Sequence, residues 1–364
     1  MSKNKTGEQK IVEQKCIKCG SPMYFDPQKK RIVCDHCKYS EDIFANDETE
    51  VGFEGFDFGG LNAQVTNDSA EDLPIYICKS CGAEVIAPPE QVALTCPYCC
   101  NNIVLSDKIS GKLRPDGIIP FKITTKDLPE AMTEFYKDKK LLPKNFFTVS
   151  RMSKITGVYA PFWVFSGELA GTLNYNGTKT HSHRSGDYVI TDTDHYRLSR
   201  DVSLSFEDLP VDASGRIDDA LMDSLEPFDM KEEVPFDIRY LAGFTADRFD
   251  IGCNDIAPRA VKRMNTTAEN EAYSQAKIGY ATVHQTGGHL KANIKARYIL
   301  LPVYTFDMEH NGEKYSFAVN GQTGKVVGEL PIDKGVKRTF FFKRAGIVAG
   351  IMMAWSIAKY FIWR

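Results

Sequence analysis

Eight of the ten cysteines in this chain fall into four C-x-x-C pairs: Cys16/Cys19, Cys34/Cys37, Cys78/Cys81 and Cys96/Cys99. Fourteen residues lie between Cys19 and Cys34, fourteen again between Cys81 and Cys96, and the second block follows the first by 62 positions. Spacing matched in this way marks an internal duplication. It constrains the fold before any other feature does, because two tight turns joined by a hairpin bring four thiolates onto one ion. Gly20 and Gly82 stand directly after Cys19 and Cys81, where such a turn favours positive φ. The expectation is two four-cysteine zinc ribbons, each with one structural Zn2+, ligated by Cys16, Cys19, Cys34 and Cys37 in the first and by Cys78, Cys81, Cys96 and Cys99 in the second. Each module is too small to hold a core of its own, so metal binding supplies much of its folding energy, on the order of 10 kcal/mol in zinc-finger peptides. A closed four-sulfur shell leaves no coordination position for water, which favours a structural over a catalytic ion. Disulfides or redox C-x-x-C pairs are the competing readings, and the paired modules at fixed distance speak against both. Cys100 stands where C-P-x-C-G knuckles carry glycine, and it and Cys253 are left over. With a polar, charged start from Met1 to Lys10, these two thiols point to a reducing cytoplasm.

The 364 residues leave room for two or three domains, and 43% apolar residues are ample for a core. The net charge of −3 conceals its distribution: residues 1–110 hold 11 basic and 17 acidic side chains, whereas seven Lys/Arg and no acid follow Asp333. Residues 41–73 contain ten Asp/Glu and no Lys or Arg and read as an acidic linker. Within it Phe53, Phe56 and Phe58 are closely spaced, either as weak packing onto a neighbour or as a short partner-binding motif.

The expected organisation is multidomain: zinc ribbon 1 over 1–40, the linker over 41–73, zinc ribbon 2 over 74–110, a strand-rich α+β domain over 115–332, a basic flank over 333–344 and a C-terminal transmembrane helix over 345–363. In the α+β domain, Gly117–Ile123 reads as a strand and Thr125–Lys140 as a helix. Helices are also expected over Arg216–Leu225 and about Asn254–Ile278, the latter with Pro258 in its first turn. Short aromatic and β-branched runs mark strands, and Asn176-Gly177, Asn311-Gly312 and Asn320-Gly321 mark turns. Ala160–Phe165 (APFWVF) followed by Asn176-Gly177 is similar to Leu301–Phe306 (LPVYTF) followed by Asn311-Gly312, which suggests two related β units. His181 and His183, with His195, Asp187, Asp192 and Asp194 nearby, are assigned to a polar hairpin loop rather than to a metal or carboxylate site. No nucleophile elbow, P-loop or dinucleotide fingerprint accompanies them, and the chain reads as a non-enzyme.

Ala345–Trp363 is a run of 19 residues whose only charge is Lys359. At 1.5 Å per residue it measures roughly 28 Å, near the ~30 Å of a bilayer's hydrocarbon core. Lys334, Lys337, Arg338, Lys343 and Arg344 precede it, so the expectation is a single-pass cell-membrane anchor with the bulk of the chain in the cytoplasm.

The tandem ribbons, the segment Phe317–Pro331 (FAVNGQTGKVVGELP) and the basic, apolar tail together resemble bacterial proteins described as TFIIB-type zinc ribbon-containing. Members of that family resembling this chain occur beside a phage-shock protein A homologue, an SPFH (flotillin-like) protein and a small membrane protein. The resemblance implies an adaptor of an envelope-stress system that recruits such proteins to the membrane, and only the eight ribbon cysteines carry over as functional residues. The alternative is a nucleic-acid-binding regulator of transcription or replication. The net acidic ribbon region opposes it, since backbone affinity comes from Lys/Arg neutralising several phosphates.

Overall fold

The computed structural model describes residues 11–12, 14–43, 75–87, 90–96, 102–105, 113–143, 146, 155–216 and 218–362. In chain order the elements are β1 (Ile11–Val12), β2 (Met23–Asp26), β3 (Arg31–Cys34), β4 (Ser40–Asp42), β5 (Ile75–Ile77), β6 (Glu84–Ile86), β7 (Gln91–Thr95), β8 (Asn102–Leu105), β9 (Gly117–Ile118) and α1 (Leu128–Tyr136). There follow β10 (Thr156–Ser185), β11 (Tyr188–Asp212), α2 (Asp219–Ser224), β12 (Val234–Pro235), β13 (Thr245–Asp247), α3 (Cys253–Ala276), β14 (Thr282–His310), β15 (Glu313–Asn320), β16 (Val326–Gly328) and α4 (Lys334–Ile362). The chain divides into two compact units: Met1–Pro120, Val158–Asp219 and Asp229–Pro302 form the first, and Phe121–Gly157, Ala220–Phe228 and Val303–Arg364 form the second.

In the first unit the strands run β1-β8-β7-β13-β10-β14, with β11 hydrogen-bonded to β10 and β9 to both β14 and β12. Strands β10 and β14 lie close enough that only glycine fits at several positions. A Cβ on Gly167 would fall 2.1 Å from the Asn293 carbonyl oxygen, and one on Gly171 would fall 2.0 Å from that of His289. Helix α3 packs on β11. Its buried face is Cys253, Ile256, Ala260, Met264, Ala268, Ala272 and Ala276, and the alanines, spaced by four or eight, keep the helix close to the sheet. Trp163 anchors the opposite end of this core: its ring lies 5.1 Å from Phe249 and 5.5 Å from Tyr298, and its indole N–H donates to the Ile251 carbonyl at 3.0 Å.

The second unit is built on the β14–β15–β16 meander over Val303–Gly328. Phe306 and Phe317, on facing strands, stack at 5.3 Å with an interplanar angle of 10°. The Tyr304 hydroxyl donates to the Ile123 carbonyl at 2.7 Å. Asn311 and Gly312 both have positive φ (54° and 80°), as the two-residue β14–β15 turn requires.

The suspected relationship between β units extends to the register. Val158–Tyr159 of β10 pair in parallel with Thr245–Ala246, and Ile299–Leu300 of β14 pair in parallel with Gly117–Ile118. One residue after the shared proline, Phe162 faces Asp212 and Val303 faces Asn320. Asp212 and Asn320 are therefore equivalent, and both are fully buried. Each side-chain Oδ1 accepts the backbone N–H two residues on, from Ser214 at 3.3 Å and from Gln322 at 2.9 Å. The amide of Asn320 also donates to the Leu225 and Pro227 carbonyls at 3.1 and 3.2 Å. An ionised Asp212 has no proton to donate, and its Oδ2 is buried without a hydrogen-bond partner.

Several expectations change against this structure. The C-terminal transmembrane helix over 345–363 and the single-pass membrane location are overturned: among the described residues no helix is long and apolar enough to cross a membrane. The physical reason is that the basic flank does not precede the helix but belongs to it, so Lys337, Arg338, Lys343 and Arg344 occupy the first turns of α4. Asp333 caps that helix, its Oδ1 accepting from the Gly335 and Val336 N–H groups at 2.7 and 3.0 Å. Asn176-Gly177 is not a turn but lies within β10, paired with Arg197 and Tyr196. A Cβ there would come 3.0 Å from the Tyr280 ring and 3.1 Å from Leu198, so a side chain would require these neighbours to shift by a few tenths of an ångström. Consequently His181 and His183 stand on a strand, and the turn falls at Gly186, whose φ is 61°. The helices expected near 125–140, 216–225 and 254–278 are present as α1, α2 and α3, the first two shorter than read.

Burial pushes the Asp212 carboxyl up to about 8, against an opposing hydrogen bond from the Ser214 N–H. With an unfolded value near ~3.9, the folded state keeps a proton that the unfolded chain releases. Stability therefore falls as pH rises from about 4 to about 8 and is flat above that. Denaturant unfolding across this range should show the decline in the parent chain and its loss in Asp212→Asn. A decline retained by the variant would assign it to other groups.

Candidate metal centre

Ribbon 1 is the three-stranded sheet β2–β3–β4, with Met23, Phe25, Ile32, Val33 and Ile43 buried beneath it. Ribbon 2 pairs β5 with β6 and β7 with β8 around Tyr76, Val85, Ala87, Leu94, Ile103 and Leu105. Neither of these small apolar sets is a full core, which is where the thiols enter.

The three described knuckles share one hydrogen-bond pattern. The Cys16 carbonyl accepts from Gly20 N–H at 2.8 Å, that of Cys34 from Lys38 at 2.9 Å, and that of Cys78 from Gly82 at 2.8 Å. In return the N–H groups of Cys16, Cys34 and Cys78 donate to the carbonyls of Ser21, Tyr39 and Ala83, at 2.8, 2.8 and 2.9 Å. The residue closing each turn has positive φ: 72° at Gly20, 60° at Lys38 and 74° at Gly82. The glycines were legible in the sequence; the equivalent role of Lys38 was not, since lysine carries no turn signal.

The knuckles converge their sulfurs. Cys16, Cys19, Cys34 and Cys37 place all four Sγ atoms within 4.8 Å of one another, as do Cys78, Cys81 and Cys96 in ribbon 2. Individual separations are 3.5 Å for Cys16–Cys37, 3.5 Å for Cys19–Cys34 and 3.8 Å for Cys81–Cys96. A tetrahedral shell with metal–sulfur bonds near 2.3 Å has edges of about 3.8 Å, so these sets fit a metal ion. Cys99 and Cys100 lie outside the described residues, as do Phe53, Phe56 and Phe58. The first cysteine of each described pair is buried and the second is exposed. The thiols are not equivalent acids. Cys19 is brought down to about 5, first by the Ser21 hydroxyl and then by the Ser21 N–H. At Cys37 the Tyr39 N–H also favours the thiolate, but desolvation and the neighbouring thiols outweigh it and hold the group up at about 12.

Both ribbons rest on one segment of the first unit, the 3-10 turn Ile238–Leu241 and the residues after it. Phe25 N–H donates to the Ala242 carbonyl at 2.9 Å, and its ring meets Tyr240 edge-on at 5.1 Å. Arg239 is held by Asp237 at 2.7 Å and donates to the Ile43 carbonyl. From ribbon 2, the Asn102 amide donates to the Leu241 carbonyl at 3.0 Å. β1, just before ribbon 1, pairs with β8, the last strand of ribbon 2.

His181, His183, Asp192 and Asp194 are brought together on the β10–β11 hairpin, apart from the thiol sets, with His181–Asp194 at 3.8 Å and His183–Asp192 at 3.6 Å. Asp187 sits in the turn, and His195 faces Thr178.

Lys38→Gly should stabilise ribbon 1 by about 1 kcal/mol, because a left-handed residue with a Cβ costs about 1–2 kcal/mol and glycine's extra unfolded freedom offsets only part of that. The readout is a higher chelator concentration for half-release of metal. Lys38→Val should shift it the other way, and identical release in all three proteins would remove strain from the account.

No family model matches the chain, and no solved structure matches it. A curated relative is the uncharacterized protein YdjG of Bacillus subtilis, 34% identical over 350 residues that cover 96% of this chain and 98% of the relative. With similarity running through both cysteine modules and the strand-rich remainder alike, the chain belongs to the family of YdjG.

Proposed function

We propose that the chain is a zinc-ribbon adaptor, in which two structural Zn2+ ions fix a protein-binding surface and no chemistry is carried out at the metals. The supporting observation is the common seat of the two ribbons on Asp237–Ala242, which makes them parts of one body rather than two separately tethered modules. A binding protein gains from this, because a surface ordered in advance loses less freedom when a partner docks. Zinc is favoured as the ion because all described candidate ligands are cysteines, four in ribbon 1 and three in ribbon 2, with Cys99 as the proposed fourth. The ligand sets are Cys16, Cys19, Cys34 and Cys37, and Cys78, Cys81, Cys96 and Cys99. The aromatic triplet Phe53, Phe56 and Phe58 in the acidic segment is assigned to partner contact. Partners of the phage-shock protein A and SPFH types follow from the family resemblance, and the link to envelope stress comes with them.

Metal analysis of the purified chain should find zinc at both ribbons. The absorption bands of an iron–thiolate protein would overturn the choice of ion. Purified phage-shock protein A-type and SPFH-type proteins should be retained by the full chain and lost by Cys34→Ser. Retention by a ribbon shown to lack metal would sink the proposed role of the ribbons. Salt-sensitive binding of plain duplex DNA without retention of either protein would replace the adaptor with a nucleic-acid-binding function.

A further inference from the structure

The β10–β11 ladder has two unlike faces. Tyr175 is buried, with its ring 6.5 Å from that of Tyr273 on α3, so the helix closes this side of the sheet. Side chains alternate along a strand, and the residues flanking Tyr175 point the other way, where they are exposed. There Asn174 stands opposite Ser199, and Asn176 stands opposite Arg197. These four side chains, with Thr286 of β14, line a cleft of about 450 Å³. That is a volume typical of small-molecule sites.

Hydrogen bonds within the cleft decide what it has left to offer. The Ser199 hydroxyl donates to Asn174 Oδ1 at 3.1 Å, which turns that amide so that its NH2 group is free to donate. The Thr286 hydroxyl donates to the Asn174 carbonyl at 3.2 Å, and its oxygen keeps its accepting capacity. Among the described residues the side chains of Asn176 and Arg197 have no hydrogen-bond or ion-pair partner. Arg200, by contrast, is tied to the Ser199 carbonyl at 2.9 Å. No carboxylate lines the cleft. The next acid on this face, Asp201, already accepts from the Thr172 hydroxyl at 2.8 Å. One uncompensated cation is thus set among amide donors and hydroxyl acceptors.

We propose that this cleft binds the phosphate ester of a small polyol, with Arg197 and Asn176 on the phosphate and Asn174, Ser199 and Thr286 on the hydroxyl groups. A guanidinium presents its N–H donors as a planar fork that matches two phosphate oxygens at once. Alcohol groups both donate and accept, which suits the mixed amide and hydroxyl lining. The side chains of the cleft are polar, so an acyl chain or aromatic ring has little to pack against there. The inference is independent of the adaptor reading, since it concerns neither the thiols nor the protein partners.

The test titrates the full chain by calorimetry with glucose 6-phosphate and with glycerol 3-phosphate, and with glucose and inorganic phosphate for comparison. Saturable binding of at least one ester is expected, weakening as salt is raised. Glucose should bind about tenfold or more weakly than that ester, and Arg197→Ala should lose a similar factor, as removal of a charge-assisted contact implies. Inorganic phosphate should bind more weakly than the ester, because it leaves the hydroxyl partners unused. In the parent chain, amide shifts caused by the ester should centre on residues 174–176, 197–199 and 286, a readout that does not depend on any variant folding. No saturable binding of either ester, glucose or inorganic phosphate bound as tightly, or shifts centred elsewhere would each overturn the site.

Discussion

Strand β10 has to satisfy different neighbours along its 30 residues, and backbone proximity decides whether it can. Near its start it takes β13 in parallel, and through β13 it carries β7, β8 and β1. Further on it holds β11 on one edge and β14 on the other. The β14 edge tolerates no side chain at Gly167 or Gly171, and Gly288 on the opposing strand has φ 137° with the Thr172 carbonyl 2.4 Å from where its Cβ would be. An alanine at any of these positions would push the strands apart. Among the described residues, the strands of ribbon 2 join this sheet through the pairing of β7 with β13.

The convergence of the thiols is the second dependence, and it is local where the sheet is long-range. Each ribbon buries a handful of apolar side chains, and its remaining order is set by turns whose N–H groups hold the cysteine carbonyls in place. In each described pair the first cysteine is buried and the second exposed, so an ion held there would face the protein on one side and solvent on the other. The charge of the thiolates would then be offset by the ion rather than by basic side chains, which is compatible with the acidity of this part of the chain.

The cysteine sets and their knuckle glycines were legible in the sequence because the chemistry permits so few spacings. The long amphipathic α3 and the Asn311-Gly312 turn were legible for similar reasons, each following from local periodicity or a required φ. What was not legible depended on partners distant in the chain. Asn176-Gly177 carries a turn signature, yet its glycine serves the approach of Tyr280 from about a hundred residues away. The apolar tail satisfied a length criterion, but helix formation does not stop at a change in composition, and the cations were drawn into the same helix. His181 and His183 read as loop residues because Ser, Gly and Asp surround them; only the register shows that they face carboxylates across a ladder. The paired β units were visible as a similarity of six residues, and the equivalence of Asp212 with Asn320 needed the strand pairing.

The pairing of β1 with β8 has a thermodynamic consequence. The strand leading into the first ribbon is completed by the last strand of the second, and both ribbons hold carbonyls of the same short turn. An ion entering either shell would thus order groups that the other shell also requires. The ordering cost borne by the first ion is not borne again by the second, and linkage makes the effect reciprocal. With ions bound at both ribbons as proposed, the two centres would therefore act as one cooperative binding unit, filling together as metal is supplied and emptying together as it is withdrawn.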